Sequence, residues 1–87
     1  MRVVTAVAYD LRRTIGYLVA DKWGRLIGRV ECPMYGSGPD EPDALAVRSG
    51  HLWRRRSMVP ADVIDQIDGT SGVIGLRVAR DELRSFL

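Results

Sequence analysis

The sequence has little of what disulfides, zinc sites and membrane spans require. Its 87 residues include one cysteine, Cys32, and one histidine, His51. A single cysteine excludes a disulfide within the chain and suits a reducing compartment. One cysteine with one histidine falls short of the about four ligands of a structural zinc site. The apolar runs span only a few residues, against the ~20 that a membrane-crossing helix needs. We therefore expect a cytoplasmic protein with no metal, no cofactor and no membrane insertion.

Lysine is nearly missing as well. Lys22 is the single lysine among 13 basic residues, and 11 acidic residues leave a net charge of only +2. Arginine binds phosphates and carboxylates through paired hydrogen bonds, but a G+C-rich genome also favours arginine codons. The acids are as numerous as a near-neutral surface needs, which favours the second explanation.

A hairpin is the clearest structural pattern in the chain. Residues 21–24 read as a turn in which Gly24 is free to adopt a positive φ, and a strand with a period of two follows. One face of that strand collects Leu26, Gly28, Val30 and Cys32. Gly28 would let another backbone approach closely or let the strand bend. The pattern predicts a small sheet that curls, with Cys32 facing inward as an inert thiol.

Short alternating segments separated by turn residues continue along the chain. The strands are predicted at residues 17–21, 26–34, 44–49, 51–57 and 73–79, with one more at 2–9 or 63–67. The predicted core consists of Leu18, Leu26, Val30, Leu45, Val47, Leu52, Val63, Ile74, Leu76 and Val78. At the end of the chain, Leu83, Phe86 and Leu87 have helical spacing, which predicts a short C-terminal helix. About six short strands at this spacing are typical of a small all-β barrel or sandwich.

The order of these motifs resembles the photosynthetic reaction centre barrel family, the PRC-barrel. The matching segments are Gly16-Tyr-Leu-Val19, Asp21-Lys-Trp-Gly24, Leu26-Ile-Gly-Arg-Val30, Leu45-Ala-Val47, Met58-Val-Pro60, Val63-Ile64, Asp68-Gly69, Ile74-Gly-Leu-Arg-Val78 and Ala79-Arg-Asp-Glu-Leu83. The resemblance covers residues 14–84 and implies one domain, a six-stranded, SH3-like, partly open barrel. It also implies a non-catalytic protein-interaction module, because the family has no shared active-site residues to transfer. Residues 1–13 have no counterpart and form an N-terminal arm or an extra strand.

Both tryptophans of the chain are candidates for binding a partner. Trp23 lies in the predicted turn, where it is either a contact anchor or folds back over the mouth of the barrel. Trp53 precedes three arginines, Arg54, Arg55 and Arg56. That run could hold phosphates while the indole stacks on a base, which predicts, as an alternative function, an RNA- or ribosome-associated protein.

The alternative interpretation of the arginine run involves no nucleic acid. Strand alternation sends Arg55 to the face opposite Arg54 and Arg56, which would then pair with acids on neighbouring strands. Trp53 would be a core or dimer-interface residue. Two acidic groups, Asp40, Glu41 and Asp43 in one and Asp62, Asp65 and Asp68 in the other, are interpreted as solvated surface, although the first could hold Ca²⁺.

The N-terminal arm suggests self-association. It is interrupted by Thr5 and ended by Asp10, which makes it too short and broken for a signal peptide. Its apolar members are Val3, Val4, Val7 and Tyr9 among others. They are predicted to cover a sheet edge or to dock on a second copy in a two-fold homodimer. The competing interpretation is an extra strand on the arm's own barrel, which leaves a monomer.

Overall fold

The computed structural model describes residues 3–4, 10–35, 42–50 and 55–86. In this part of the chain there are eight strands: β1 (Val3–Val4), β2 (Leu18–Ala20), β3 (Leu26–Met34), β4 (Ala44–Ser49), β5 (Arg55–Pro60), β6 (Ile64–Asp68), β7 (Val73–Leu76) and β8 (Arg84–Phe86). Short 3-10 turns occupy Leu11–Arg13, Ala61–Val63 and Arg80–Glu82. None of the helical segments in these ranges has the length and apolar character that crossing a membrane requires.

The strands form one mixed sheet. Its order among the described residues is β1-β6-β7-β2-β3-β4-β5-β8, so β2 to β7 make the body and the short β1 and β8 are the two edges. The pairing of β2 with β7 is parallel, and β2 pairs with β3 antiparallel through the hairpin. The all-β prediction is thus confirmed in the sense of a strand-rich chain with one sheet, not closed, and no long helix.

The predicted strands at 26–34 and 44–49 are confirmed, and those at 17–21 and 73–79 are shorter than predicted. The strand predicted at 51–57 is found at Arg55–Pro60, with residues 51–54 outside the described ranges. For the remaining strand, the alternatives were residues 2–9 and residues 63–67. A strand is found in both regions, β1 in the first and β6 in the second.

The predicted C-terminal helix is wrong. Arg80–Glu82 is only a 3-10 turn, and Arg84–Phe86 is strand β8. Strand β8 pairs antiparallel with β5, with Phe86 opposite Arg56. Three apolar residues at helical spacing are a weak signal, whereas the edge of β5 offers backbone hydrogen-bonding groups that an extended segment satisfies at once.

The core lies on the inner face of the curled sheet. Its most deeply buried large side chains are Leu45, Ile64, Ile67, Ile74, Val19, Val47 and Val59. Of the predicted core, Val30, Leu45, Val47, Ile74 and Leu76 are buried, and Leu18, Val63 and Val78 are half-buried. Leu52 lies outside the described residues.

Two predictions for β3 are wrong at its ends. Leu26 is 57% exposed, and Cys32 is exposed rather than inward. The register with β2 shifts between Val19 and Ala20, and the register with β4 shifts between Val30 and Cys32. Each shift is a bulge in which one extra residue reverses the alternation of faces. Only the middle of the strand, Gly28 and Val30, therefore keeps the predicted inward side.

The close approach predicted at Gly28 is confirmed. A Cβ atom at this position would overlap the backbone carbonyl oxygen of Arg48 on the neighbouring strand β4. Glycine is required here because no side chain fits between the two backbones, and it lies between the two bulges that curve β3.

Truncating two leucines separates the core face from the outer face. Leu76→Ala removes a side chain that is 3% exposed and should cost about 2–5 kcal/mol in the free energy of unfolding. Leu26→Ala makes the same chemical change at an exposed position and should cost about 0.5 kcal/mol or less. Urea unfolding of both variants measures the difference, and equal losses would show that the faces of the sheet are wrongly assigned.

Candidate functional site

The turn of the β2–β3 hairpin is built around the carboxylate of Asp21. This residue is only 4% exposed. Its Oδ1 accepts hydrogen bonds from the backbone N–H groups of Trp23 and Arg25, each at 2.9 Å. Its Oδ2 accepts from the Arg25 Nε at 2.9 Å and from the backbone N–H of Arg80 at 3.1 Å. The predicted turn is confirmed, and its aspartate also joins it to the segment after β7.

Backbone contacts complete the turn. The Gly24 N–H donates to the carbonyl oxygen of Asp21 at 2.9 Å, and Gly24 has a φ of 80°, a conformation that favours glycine. The Lys22 N–H donates to the carbonyl oxygen of Val78 at 3.0 Å. The hairpin tip, defined here as residues 21–26, is thus held by its own turn and by residues 78–80.

The pKa of Asp21 reflects this environment. Burial alone would raise the pKa of the carboxyl group, but hydrogen bonds from the backbone N–H groups of Arg80, Arg25 and Trp23 and from the Arg25 side chain stabilise the charged form. The net effect lowers the pKa from 3.8 to about 2. Asp21 is therefore a structural anion at neutral pH, and its donors leave it poorly placed for acid–base chemistry.

Trp23 projects from the hairpin tip. Its side chain is 69% exposed, so it does not fold back over the sheet. The Lys22 Nζ lies 5.0 Å from the centroid of the indole ring, a cation–π contact. Leu26, on the same hairpin, is also a large apolar residue, and it is 57% exposed. The tip therefore presents apolar surface on a backbone that many hydrogen bonds keep in place.

The predicted arginine patch is not continuous. Trp53 and Arg54 lie outside the described residues. Arg55 is exposed and stands opposite Ser49, whereas Arg56 stands opposite Arg48. The Arg56 Nε lies 3.1 Å from the Glu31 Oε1. Arg56 therefore pairs with an acid as predicted, but that acid lies on β3, which is separated from β5 by β4 and is not a neighbouring strand.

Glu31 joins two strands in a way that the sequence alone did not predict. The Arg48 Nε lies 2.6 Å from the Glu31 Oε2, and the Arg56 side chain holds the same carboxylate from the other side. The hydrogen bond from Arg48 lowers the pKa of Glu31, with burial acting against it and the charges of Arg48 and Arg56 adding to it. This pairing could not be predicted because it depends on the register of β3, β4 and β5, which no local sequence pattern determines.

A cleft of about 470 Å³ lies between the hairpin tip and β6. It is lined by Ala20, Asp21, Lys22, Gly24, Asp65, Gln66, Asp68, Ser71, Val73, Gly75 and Leu76. The Asp68 carboxylate accepts hydrogen bonds from the Thr70 N–H at 2.9 Å and from the Ser71 Oγ at 2.8 Å. These bonds stabilise the turn that follows β6. Of the aspartates at 62, 65 and 68, the first two are exposed as predicted, but Asp68 is buried rather than solvated. The three do not share a helical face, because they lie in a 3-10 turn and in β6.

The grouping of potential metal ligands is defined for the described ranges of the chain. Within them, no group of three or more His, Cys, Asp or Glu residues could hold a metal ion. His51, Asp40 and Glu41 lie outside these ranges, so a pairing of His51 with Cys32 is not described.

The N-terminal arm is described at two residues. Val3 and Val4 form β1, which pairs antiparallel with β6 of the same chain, Val3 opposite Asp68 and Val4 opposite Ile67. This pairing within one chain corresponds to the alternative in which the arm adds an extra strand to its own sheet. Val7 and Tyr9 lie outside the described residues, and the homodimer stays a prediction.

No protein-family model matches the chain, and no curated protein is similar to it at a meaningful level.

The Asp21 carboxylate gives a prediction for acid stability. Because the pKa is lower in the folded chain, its contribution is fully present above pH ~3.8 and is lost as the pH falls towards 2. Asp21→Asn should lower the melting temperature at pH 7 by several degrees, since an amide supplies one acceptor oxygen for several donors. It should also flatten the fall in melting temperature between pH 4 and pH 2.

Asp62→Asn is the matched control, because Asp62 is exposed. This variant should follow the wild-type curve at every pH. An Asp21→Asn protein with the wild-type pH profile would contradict the structural role given to the carboxylate.

Proposed function

We propose that the chain is a non-catalytic protein-interaction module of the PRC-barrel kind and that its hairpin tip contacts the partner. The observation that carries this proposal is the 69% exposure of Trp23 on a turn fixed by buried hydrogen bonds. Tryptophan is enriched among the residues that dominate binding energy in interfaces. The same proposal places the module in the cytoplasm, where an exposed Cys32 would stay reduced.

Rigidity makes the tip a favourable anchor. An interface must offset the entropy of ordering its side chains and loops. The backbone N–H of Trp23 is already bonded to Asp21 at 2.9 Å, so the turn loses little freedom on binding. Burying the exposed indole and the side chain of Leu26 would then contribute mostly as net affinity.

The proposed partner is a second copy of this chain. The cleft brings Lys22 and Gly24 of the tip beside Asp65 and Gln66 of β6, and β1 pairs with the other side of β6. Strand β1 is the end of the strand order, so it has an edge that a two-fold related β1 could pair with. The cleft that begins at the tip and the β1 edge thus both border β6, which supports one continuous self-association surface.

Sedimentation equilibrium at micromolar concentration tests this proposal. The wild type should show twice the monomer mass of 9.7 kDa, and Trp23→Ala should shift it to the monomer without lowering the melting temperature. Ile15→Ala is the control, because Ile15 is 60% exposed but lies outside the hairpin tip.

Three results would count against the proposal. A wild-type mass near 9.7 kDa rules out self-association at these concentrations. A Trp23→Ala dimer removes the tip from the interface. An equal effect of Ile15→Ala would show that the loss follows from any change in exposed apolar surface.

A further inference from the structure

The hairpin tip carries a cation that has no acidic partner in the described part of the chain. Lys22 is exposed, and no ion pair joins it to an acid among the described residues. Its Nζ lies 5.0 Å from the centroid of the Trp23 ring, which is itself exposed. The tip therefore projects an aromatic ring and a positive charge together.

The cleft of about 470 Å³ beside the tip has room for such a ring. Sites of ~300–1,000 Å³ take small molecules that are larger than an indole. The lining includes Ala20 of β2 and Val73 and Gly75 of β7. These residues alternate with the buried Val19 and Ile74, so they belong to the outer face of the sheet. Because they are small and only half-buried, the cleft offers apolar surface to an aromatic side chain.

The lining of the cleft also carries an unpaired carboxylate. Asp65 of β6 is exposed, and its side chain forms no hydrogen bond or ion pair with any of the residues that the structure describes. Asp21 and Asp68 line the same cleft, but donors of their own turns already engage them. Asp65 is therefore the acid that can take a cation from outside the chain.

We infer that the cleft of one copy receives the Trp23 indole of a second copy, and that Lys22 of the entering tip pairs with Asp65. This inference rests on the self-association proposed above and names the surface that accepts the tip. The indole covers the apolar lining, and the exposed Gln66 supplies an acceptor for its N–H, which a buried indole requires. The charges of the entering tip and of the cleft are complementary.

Reciprocity favours a second copy over an unrelated partner. Lys22 and Gly24 of the tip line the cleft of their own chain, so the tip and the cleft are adjacent. When a tip enters the cleft of a second copy, the cleft of the entering copy is brought next to the tip of the second. Two-fold symmetry then makes each contact twice and closes the assembly at a dimer.

Charge reversal tests the pairing between copies. Lys22→Asp and Asp65→Lys each place like charges at both contacts of the dimer, so each should raise its dissociation constant about tenfold or more. An equimolar mixture of the two variants should recover the wild-type affinity, because position 22 of each variant then meets the opposite charge at position 65 of the other. Sedimentation equilibrium over a range of concentrations measures all three samples.

Asp62→Lys is the matched control for the charge reversals. Asp62 is exposed like Asp65 and lies only three residues away, but it does not line the cleft. The substitution changes the net charge of the chain by the same amount as Asp65→Lys. This variant should dimerise as the wild type does.

Gly75→Val tests the cleft by filling it. A Cβ atom at this position would meet the Gln66 Cγ at 3.4 Å, an ordinary contact, and valine is favoured in strands. The variant should therefore keep the melting temperature of the folded monomer. Its dissociation constant should rise at least tenfold, because the added side chain occupies space that the indole needs.

The results that would overturn the inference are separable from failure of self-association itself. A wild type that sediments as a monomer contradicts both proposals. A wild-type dimer that keeps its affinity in the two charge-reversed variants, or a mixture that recovers nothing, overturns the cleft contact alone and assigns the interface elsewhere, such as to the β1 edge. An equal loss of affinity in Asp62→Lys would assign the effect to net charge.

Discussion

A buried carboxylate is the constraint on which the hairpin and the segment after β7 both depend. Removing a charge from water is costly unless hydrogen bonds and a counter-charge replace the lost solvent. Asp21 obtains them from three places in the chain: the turn at Trp23, the start of β3 at Arg25, and the backbone of Arg80. Because loss of any one of these partners would leave the charge less compensated, the hairpin and the segment after β7 stabilise each other. The same contacts hold the exposed indole outward.

The two bulges of β3 determine which of its side chains face outward. Each adds a residue to one strand, bends it and reverses which side chains face outward. The bulge next to Val30 directs Glu31 between Arg48 and Arg56, and Gly28 allows the Arg48 backbone to approach closely between the two bulges. The bulge and the pairing of Glu31 with Arg48 and Arg56 therefore occur at the same place in β3.

Local chemistry predicted the turns and the middle of the strands. The aspartate and glycine at 21 and 24 indicated the hairpin. Alternation located Ile74 and Leu76 of β7 correctly, whereas in β4 the alanines on the opposite face are buried together with Leu45 and Val47. Features that depend on a distant partner could not be predicted. Leu26 and Cys32 face outward because β2 and β4 impose bulges, and the last residues become a strand because β5 offers an edge. The pairing of Arg56 with an acid was foreseen, but its partner Glu31 lies two strands away on β3, and the register of β3, β4 and β5 brings the two together.

The exposed side chains of Trp23 and Leu26 stand on a hairpin whose turn is held by the buried carboxylate of Asp21. The central claim is that Asp21 is a charged, fully engaged group. A carbon-13 NMR titration of its carboxyl carbon tests this most directly. The account predicts a midpoint at about pH 2. A midpoint near the ordinary value of 3.8 or above would show that the carboxylate is not held by these donors, and would contradict the account.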